Sequence, residues 1–499
     1  MQNRHACALI ATVALGVHDA SAQTSVTIYS GAPPGSLSSA TFQSGGDGAR
    51  VPGYAMVRQV RDVQLDRGRT IIRISDVPAL IDPTTVSFES LLDPASTRVV
   101  EQNFEFDLTN TNKLMQKYLD REVTVEQVRG QAVESVTGTL IGTQGGLILS
   151  MPDGSIRTVN GYSGVRLNSL PGGLISKPTL VWNISAVRDG PHRSRVSFQT
   201  AGITWWADYN LKLNEANGAC KIDVGAWVTI VNQTGATFDD ARLKLVAGDV
   251  QRARPQPQYS PAPAARATMA MEARPEGFVE KSFFEYHLYT LGRLTTLKDN
   301  STKQIELFPV ARNVGCEKSL VYQGQAGQYL GNYGGPLTDR NFGNQSNSKV
   351  DVYLRFKNRE DNQLGIPLPA GKVRVAKQDD ADNSLEFIGE DLIDHTPKNE
   401  LVQIKLGSAF DVVGERRQVD FRYDSSTKSI EEEIEIKLRN QKDEPVSVIA
   451  KETLYRWSTW NVMKKSQAFD KVDARTIHFP VRIAKGGEAV IRYSVRYSW

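Results

Sequence analysis

The last strand of this chain obeys a rule that leaves little choice of fold. Ile491-Arg-Tyr-Ser-Val-Arg-Tyr-Ser-Trp499 alternates apolar and polar residues without a fault. Successive side chains of a β-strand point to opposite faces, so such a run buries one face and wets the other. The same period of two recurs along the whole chain. It appears in Thr24-Ser-Val-Thr-Ile-Tyr-Ser30, in residues 57–65 and 69–77, and in Phe104, Phe106 and Leu108. It returns at 195–199, 206–213, 225–231 and 241–247, and again from Phe283 past Leu307. Residues 350–356, 372–376, 401–405, 433–438 and 446–451 continue it. No heptad segment and no repeat of fixed period interrupts the pattern. The chain is therefore predicted to be mainly β, dominated by antiparallel sandwich domains.

With 499 residues it can bury several cores without staples. The spacing of turn signals divides it into an N-terminal β region (23–109), a small unit (110–170) and a large β-sandwich region (171–499). Asp66-Arg67-Gly68 between two strand patterns predicts a hairpin turn, with Gly68 free to take positive φ. In the small unit, Asn110 or Thr111 can cap a short helix whose Leu114, Met115, Tyr118 and Leu119 share a face. Four or five short strands follow, with turns at Gln144-Gly-Gly and Asp153-Gly154. This order resembles an SH3-like or Sm-like small barrel. Many Sm-like barrels bind RNA, but this segment has no basic cluster, so it is expected to be a structural spacer. Residues 251–277 hold Pro255, Pro257, Pro261, Pro263 and Pro275 among Gln, Arg and Ala. That composition predicts an extended insertion without a core of its own. A second loose stretch is expected over 324–348.

The N-terminus adds an address. Met1-Gln-Asn-Arg-His leads into an apolar run over residues 6–17, then Ala20-Ser-Ala22. A basic start, a short apolar run and an Ala-x-Ala-like site form a secretory signal, with cleavage expected between Ala22 and Gln23. The run is shorter than the ~20 residues a membrane-spanning helix needs. No other stretch reaches that length, so no transmembrane helix is expected. The formal net charge is +3, which excludes a dedicated nucleic-acid surface built from clustered positive charge.

Of three cysteines, Cys7 leaves with the signal. Cys220 and Cys316 remain, and an oxidising compartment favours a disulfide between them. The alternative is a pair of buried thiols too far apart to bridge. A bridge would close a loop of about 95 residues, with an entropic stabilisation of roughly 4–5 kcal/mol at most.

Three clusters carry a family resemblance. They are Gly202-Ile-Thr-Trp-Trp-Ala-Asp-Tyr209 with Trp227 and Asn232-Gln-Thr-Gly235, then Leu368-Pro-Ala-Gly-Lys-Val-Arg374 with Phe387-Ile-Gly-Glu-Asp391, and finally Leu454-Tyr-Arg-Trp-Ser-Thr-Trp460 with the closing strand. Over residues 185–499 the chain resembles the bacterial family of domains of unknown function found at the C-terminus of mucoidy-inhibitor-A-like proteins. The resemblance implies an all-β domain and a cell-envelope setting, and no catalytic residue. Mucoidy-inhibitor-like proteins carry a coiled coil ahead of this region; here the small unit stands instead. Read physically, Trp205, Trp206, Trp227, Trp457 and Trp460 are expected to pack between sheets rather than form a ligand platform.

Motifs of chemistry are sparse. Gly161-Tyr-Ser-Gly-Val fails as a nucleophile elbow at its last position. Gly324, Gly327 and Gly331 lack the strand-then-helix context of a phosphate cradle. His192, His287, His395 and His478 are scattered, and a Ser-His-Asp triad would have to assemble in space. Asp379, Asp380 and Asp382, followed by Glu390, Asp391, Asp394 and His395, offer hard oxygen ligands for Ca²⁺, but Asp and Asn at such spacing also make ordinary hairpin turns. The turn reading is preferred. No catalytic, metal or cofactor residue is therefore assigned.

The expected function is an exported, non-enzymatic envelope protein acting as a binding or scaffolding module in the periplasm, at the cell surface or in the medium. The sequence names no partner; the classes an envelope offers are an envelope protein or a surface polysaccharide. Two alternatives remain. One is an extracytoplasmic hydrolase using His395 or His478 in a site built from distant loops. The other is an outer-membrane barrel, suggested by the aromatic terminal strand. Against the barrel, Glu432 falls on the same face as Ile430 and Ile434.

Overall fold

Strands far apart in sequence find one another because each has one apolar face to cover. The computed structural model describes residues 23–499 apart from 32, 34, 37–50, 107–110, 130–131, 170–174, 217–218, 249, 251–276, 326–333, 343–345 and 380. Ala22, Asp380 and residues 251–276 of the Pro-rich segment thus lie outside the described residues. Mainly β structure is what the alternation predicted, and strands make up 66% of the described residues.

The first sheet runs in the order Phe278–Phe283, Tyr286–Leu291, Phe238–Ala247, Thr24–Tyr29, Tyr54–Leu65, Gly190–Ala201, Ile81–Ser90, and Thr295–Leu297 also pairs with Phe238–Ala247. Thr24–Tyr29 pairs in parallel with Phe238–Ala247, so the first strand of the described chain is held by one more than 200 residues later. A second sheet, Gly68–Ile74, Thr179–Ala186, Arg98–Glu105, faces the first. Phe88 and Trp182 meet edge to face across the gap, ring centroids 5.3 Å apart.

The turn at Asp66–Gly68 does not close a hairpin. Tyr54–Leu65 and Gly68–Ile74 belong to different sheets. Val63 and Leu65 on one, and Ile72 and Ile74 on the other, contribute to one core. Gly68, at φ +100°, makes the crossover.

The small unit is an insertion. Helix Thr111–Lys117 precedes a sheet ordered Gly164–Arg166, Glu122–Arg129, Ala132–Gly142, Leu147–Ser150, Ile156–Val159. Its own core gathers Met115, Tyr118, Val123, Val125, Leu140 and Leu149. The sheet is an open path, with Gly164–Arg166 and Ile156–Val159 at its edges. Leu119 does not join the helix's apolar face; it is exposed.

A thirteen-stranded sheet forms the rest. Its path is Leu385–Ile393, Gly371–Gln378, Ile203–Ala216, Ala219–Asn232, Ser301–Tyr322, Lys349–Lys357, Leu401–Asp424, Ser429–Asn440, Glu488–Ser498, Trp460–Lys465. Val446–Thr453, Thr476–Ile483 and Asp470–Lys471 attach beside it. Ser301–Tyr322 pairs with Ala219–Asn232 in its first part and with Lys349–Lys357 from Cys316 onward. Leu401–Asp424 passes likewise from Lys349–Lys357 to Ser429–Asn440. These two strands serve two cores in succession.

The cores do not follow the boundaries read from the sequence. One core takes residues from Val26 to Ile404, joining the N-terminal region to the first part of the large region. A second core takes Leu320 to Tyr497. The reason is pairing: Thr24–Tyr29 and Tyr54–Leu65 bond to strands of the region beyond 171.

Candidate functional site

Where the long strands pass from one core to the other, they leave a cleft of about 930 Å³. Leu213, Leu320, Val352, Ile388, Leu406 and Val446 give it an apolar lining. Cys220 and Cys316 lie in its wall and are disulfide-bonded, with Cα atoms 5.0 Å apart. The neighbouring pair Lys221 and Gly315 fixes the register, which sets the two cysteines opposite each other on antiparallel strands. Cys316 lies inside a strand that continues to Tyr322.

Charge in the cleft is arranged around Glu215. Its carboxylate takes Lys318 Nζ at 2.6 Å and Lys377 Nζ at 3.0 Å. Burial pushes the Glu215 carboxyl upward, but the hydrogen bonds and charges of the two lysines outweigh it and hold it below its ordinary range. A concave, partly apolar wall with a fixed ion triad suits ligand recognition.

Below the cleft, the C-terminal core contains two buried ion pairs. Arg416 Nε lies 3.1 and 3.0 Å from the two oxygens of Glu452, which also accepts from Tyr493. Arg456 Nη2 lies 3.1 Å from Glu432, and both side chains are fully enclosed. Arg456 Nη1 also donates to the carbonyls of Leu337 at 2.9 Å and Asp339 at 2.8 Å. Its guanidinium lies over the rings of Phe421 and Tyr455. Burial alone would lower the Arg456 pKa; Glu432 overcompensates and raises it. Burial pushes Tyr322 and Tyr455 up to about 12. These groups tie the segment around Leu337–Phe342 to the core. Glu432 does share the buried face of Ile430 and Ile434, as its parity predicts.

The acidic cluster is dispersed. Asp379 and Asp382 accept backbone N–H groups of Ala381 and Ser384 within a turn. Glu390 faces Lys372 and Arg374, and Asp391 accepts the N–H of Lys405 at 2.6 Å. Among the described residues, no group of three or more His, Cys, Asp or Glu is disposed to hold a metal ion. His395 Nδ1 accepts from the Ala370 N–H at 3.0 Å. The His478 pKa is lowered by burial and by Lys451. His287 pairs with Glu280 at 2.7 Å. His192 lies 3.0 Å from Ser90 Oγ, but both are fully buried and the other ring nitrogen faces the Arg188 carbonyl, which fits a satisfied core histidine.

The tryptophans divide. Trp205 is in the core, whereas Trp227 is 40% exposed and Trp206 partly exposed. The expectation that all five pack between sheets therefore fails at Trp227. Period two carries the signal: Trp205, Ala207 and Tyr209 face the core, so Trp206 and Asp208 lie on the opposite face of the strand, where Asp208 is buried by its partners. Arg456 was missed because a buried arginine reads like a surface one; its only marker is its place between Tyr455 and Trp457. No family model matches the chain, and neither the curated proteins nor the solved structures returned a match.

Proposed function

We propose that this chain is an exported cell-envelope protein acting as a binding or scaffolding module. The observation that carries the reading is the Cys220–Cys316 bond at the junction of two cores. Such bonds persist in oxidising compartments and are rare in the cytosol. The signal-like pattern ending at Ala22 agrees with it, as does the resemblance to the C-terminal domains of mucoidy-inhibitor-A-like proteins. Unbroken strands through both cores make them one continuous support, with a cleft beside the junction for a partner.

The test is fractionation of the native host with thiol trapping before lysis. The expected result is a protein beginning at Gln23, outside the cytoplasm, with both cysteines oxidised. Cytoplasmic protein with an intact Met1 and two free thiols would overturn the proposal.

A further inference from the structure

The outer face of the strands Ile203–Ala216 and Ala219–Asn232 combines features that core packing does not require. Trp227 stands directly opposite Asp208, and Trp206 opposite Thr229. The two indoles are therefore diagonal neighbours on one face, about 7–8 Å apart at their backbones. The next pair along is Asn210 and Gly225. On the other side of Ile203–Ala216, Lys372 lies beside Asp208 and Arg374 beside Asn210.

Asp208 is held rigidly. Its Oδ2 accepts Trp206 Nε1 at 2.8 Å and Thr229 Oγ1 at 2.8 Å, and its Oδ1 takes Arg374 Nη1 at 3.1 Å. Arg374 also faces Glu390 at 3.7 Å, and Glu390 faces Lys372 at 3.4 Å. The polar groups beside the indoles are thus fixed before any ligand arrives. Gly225 puts no side chain between Trp227 and Asn210, and its backbone is covered by its neighbours. A Cβ there would meet only Val310 Cγ2 at 3.6 Å and Asn210 O at 3.7 Å. The result is a face on which exposed Trp227 and partly exposed Trp206 stand beside a polar rim of Asn210, Lys372, Arg374 and Glu390.

We infer that this face is a binding site for a neutral pyranose-based glycan. A pyranose ring has an apolar C–H face, which covers an exposed indole, and a hydroxyl edge, which meets fixed donors and acceptors. Charge selects among ligands. Asp208, Arg374, Glu390 and Lys372 balance one another, so the site has no excess positive charge for a polyanion such as nucleic acid. It also lacks the basic rim and broad apolar face that a lipid surface demands.

The inference deepens the proposed envelope-binding role and rests on it. The two fail separately: cytoplasmic protein defeats export whatever the titration shows, and a null titration of exported protein defeats only the glycan site.

The experiment titrates the full mature protein with cellohexaose, maltohexaose, chitohexaose and laminarihexaose, reading tryptophan fluorescence and calorimetry. Saturable binding of at least one glycan is expected. Trp227→Ala should weaken it at least 5-fold. Gly225→Val should do the same, since its added methyls would stand between Trp227 and Asn210 on this face while its Cβ makes only ordinary contacts. Thermal melting checks that both variants fold. No saturable binding by any of the four glycans, or a loss under 5-fold in either folded variant, overturns the inference. So does tighter binding to phosphatidylglycerol vesicles than to every glycan.

Discussion

Replacing Arg456 with leucine should cost the C-terminal core about 3–5 kcal/mol, the usual penalty for breaking a fully buried ion pair from one side. The Glu432 carboxylate would remain enclosed without the guanidinium 3.1 Å away. The carbonyls of Leu337 and Asp339 would lose their donor as well. Each such bond is worth about 1 kcal/mol net. Water can replace these donors if the segment lifts, so their loss appears as local opening more than as global destabilisation. For a body of this size, about 2–4 °C per kcal/mol implies a melting temperature lower by about 6–20 °C. Calorimetry measures the first effect, and hydrogen exchange over residues 337–342 measures the second. Arg456→Lys should fall nearly as far, because an ammonium cannot reproduce the planar fork. The double variant Arg456→Leu with Glu432→Leu should be less destabilised than the sum of the two single changes. A single variant within about 1 kcal/mol of wild type, unchanged exchange at 337–342, or strict additivity in the double variant would refute the argument.

Removing the disulfide with Cys220→Ser and Cys316→Ser should lower stability by up to about 4–5 kcal/mol, read by denaturant melts with and without reductant; identical midpoints would count against it. Protein cleaved once between 251 and 276 should run as one band without reductant and two with it, since the bond spans that segment. Gly414→Ala should destabilise measurably, by roughly 1–3 kcal/mol, because its Cβ would fall 2.2 Å from the Tyr322 ring; an unchanged melt would show that the ring yields freely. Asp424 accepts the N–H groups of Ser426 and Thr427 and the Ser426 hydroxyl, which lower its pKa from 3.8 to about 2. Its support for the turn is therefore present above pH 3.8 and lost as pH falls through about 2. Carbon-13 titration of its carboxyl reads the value directly, and an ordinary carboxylate midpoint would contradict the turn geometry.

Period two made most strands legible because one wet face and one dry face leave a record in the residues. Glu488–Ser498 and the parity of Ile430, Glu432 and Ile434 were readable on that ground alone. Ser301–Tyr322 was harder to see. Its pairing with Ala219–Asn232 shifts register between Ile222 and Val224, between Val224 and Ala226, and between Ala226 and Trp227. Each shift resets which parity is buried, so the pattern fades although the strand continues. The Asp66–Gly68 turn misled for another reason. Turn chemistry specifies how the chain reverses, and says nothing of whether the flanking strands pair or face each other across a core. Trp227 sits in Gly225-Ala-Trp-Val-Thr-Ile-Val231, where nearly every residue is apolar and parity cannot say which face is wet. The charge lattice around Asp208 joins residues up to 182 positions apart, beyond the reach of any local pattern.

Glu105 and Thr179 are direct partners in one ladder, and the whole helix-plus-five-strand unit leaves and rejoins the chain between them. The host core closes across that point without help from the guest. In genetic terms the unit is a cassette: excising it and rejoining the two strands through a two-residue turn restores a plain hairpin. Whatever is spliced in its place, provided its own ends lie together, leaves the support beneath it undisturbed. The chain can thus change what it displays at this position without relearning how to fold.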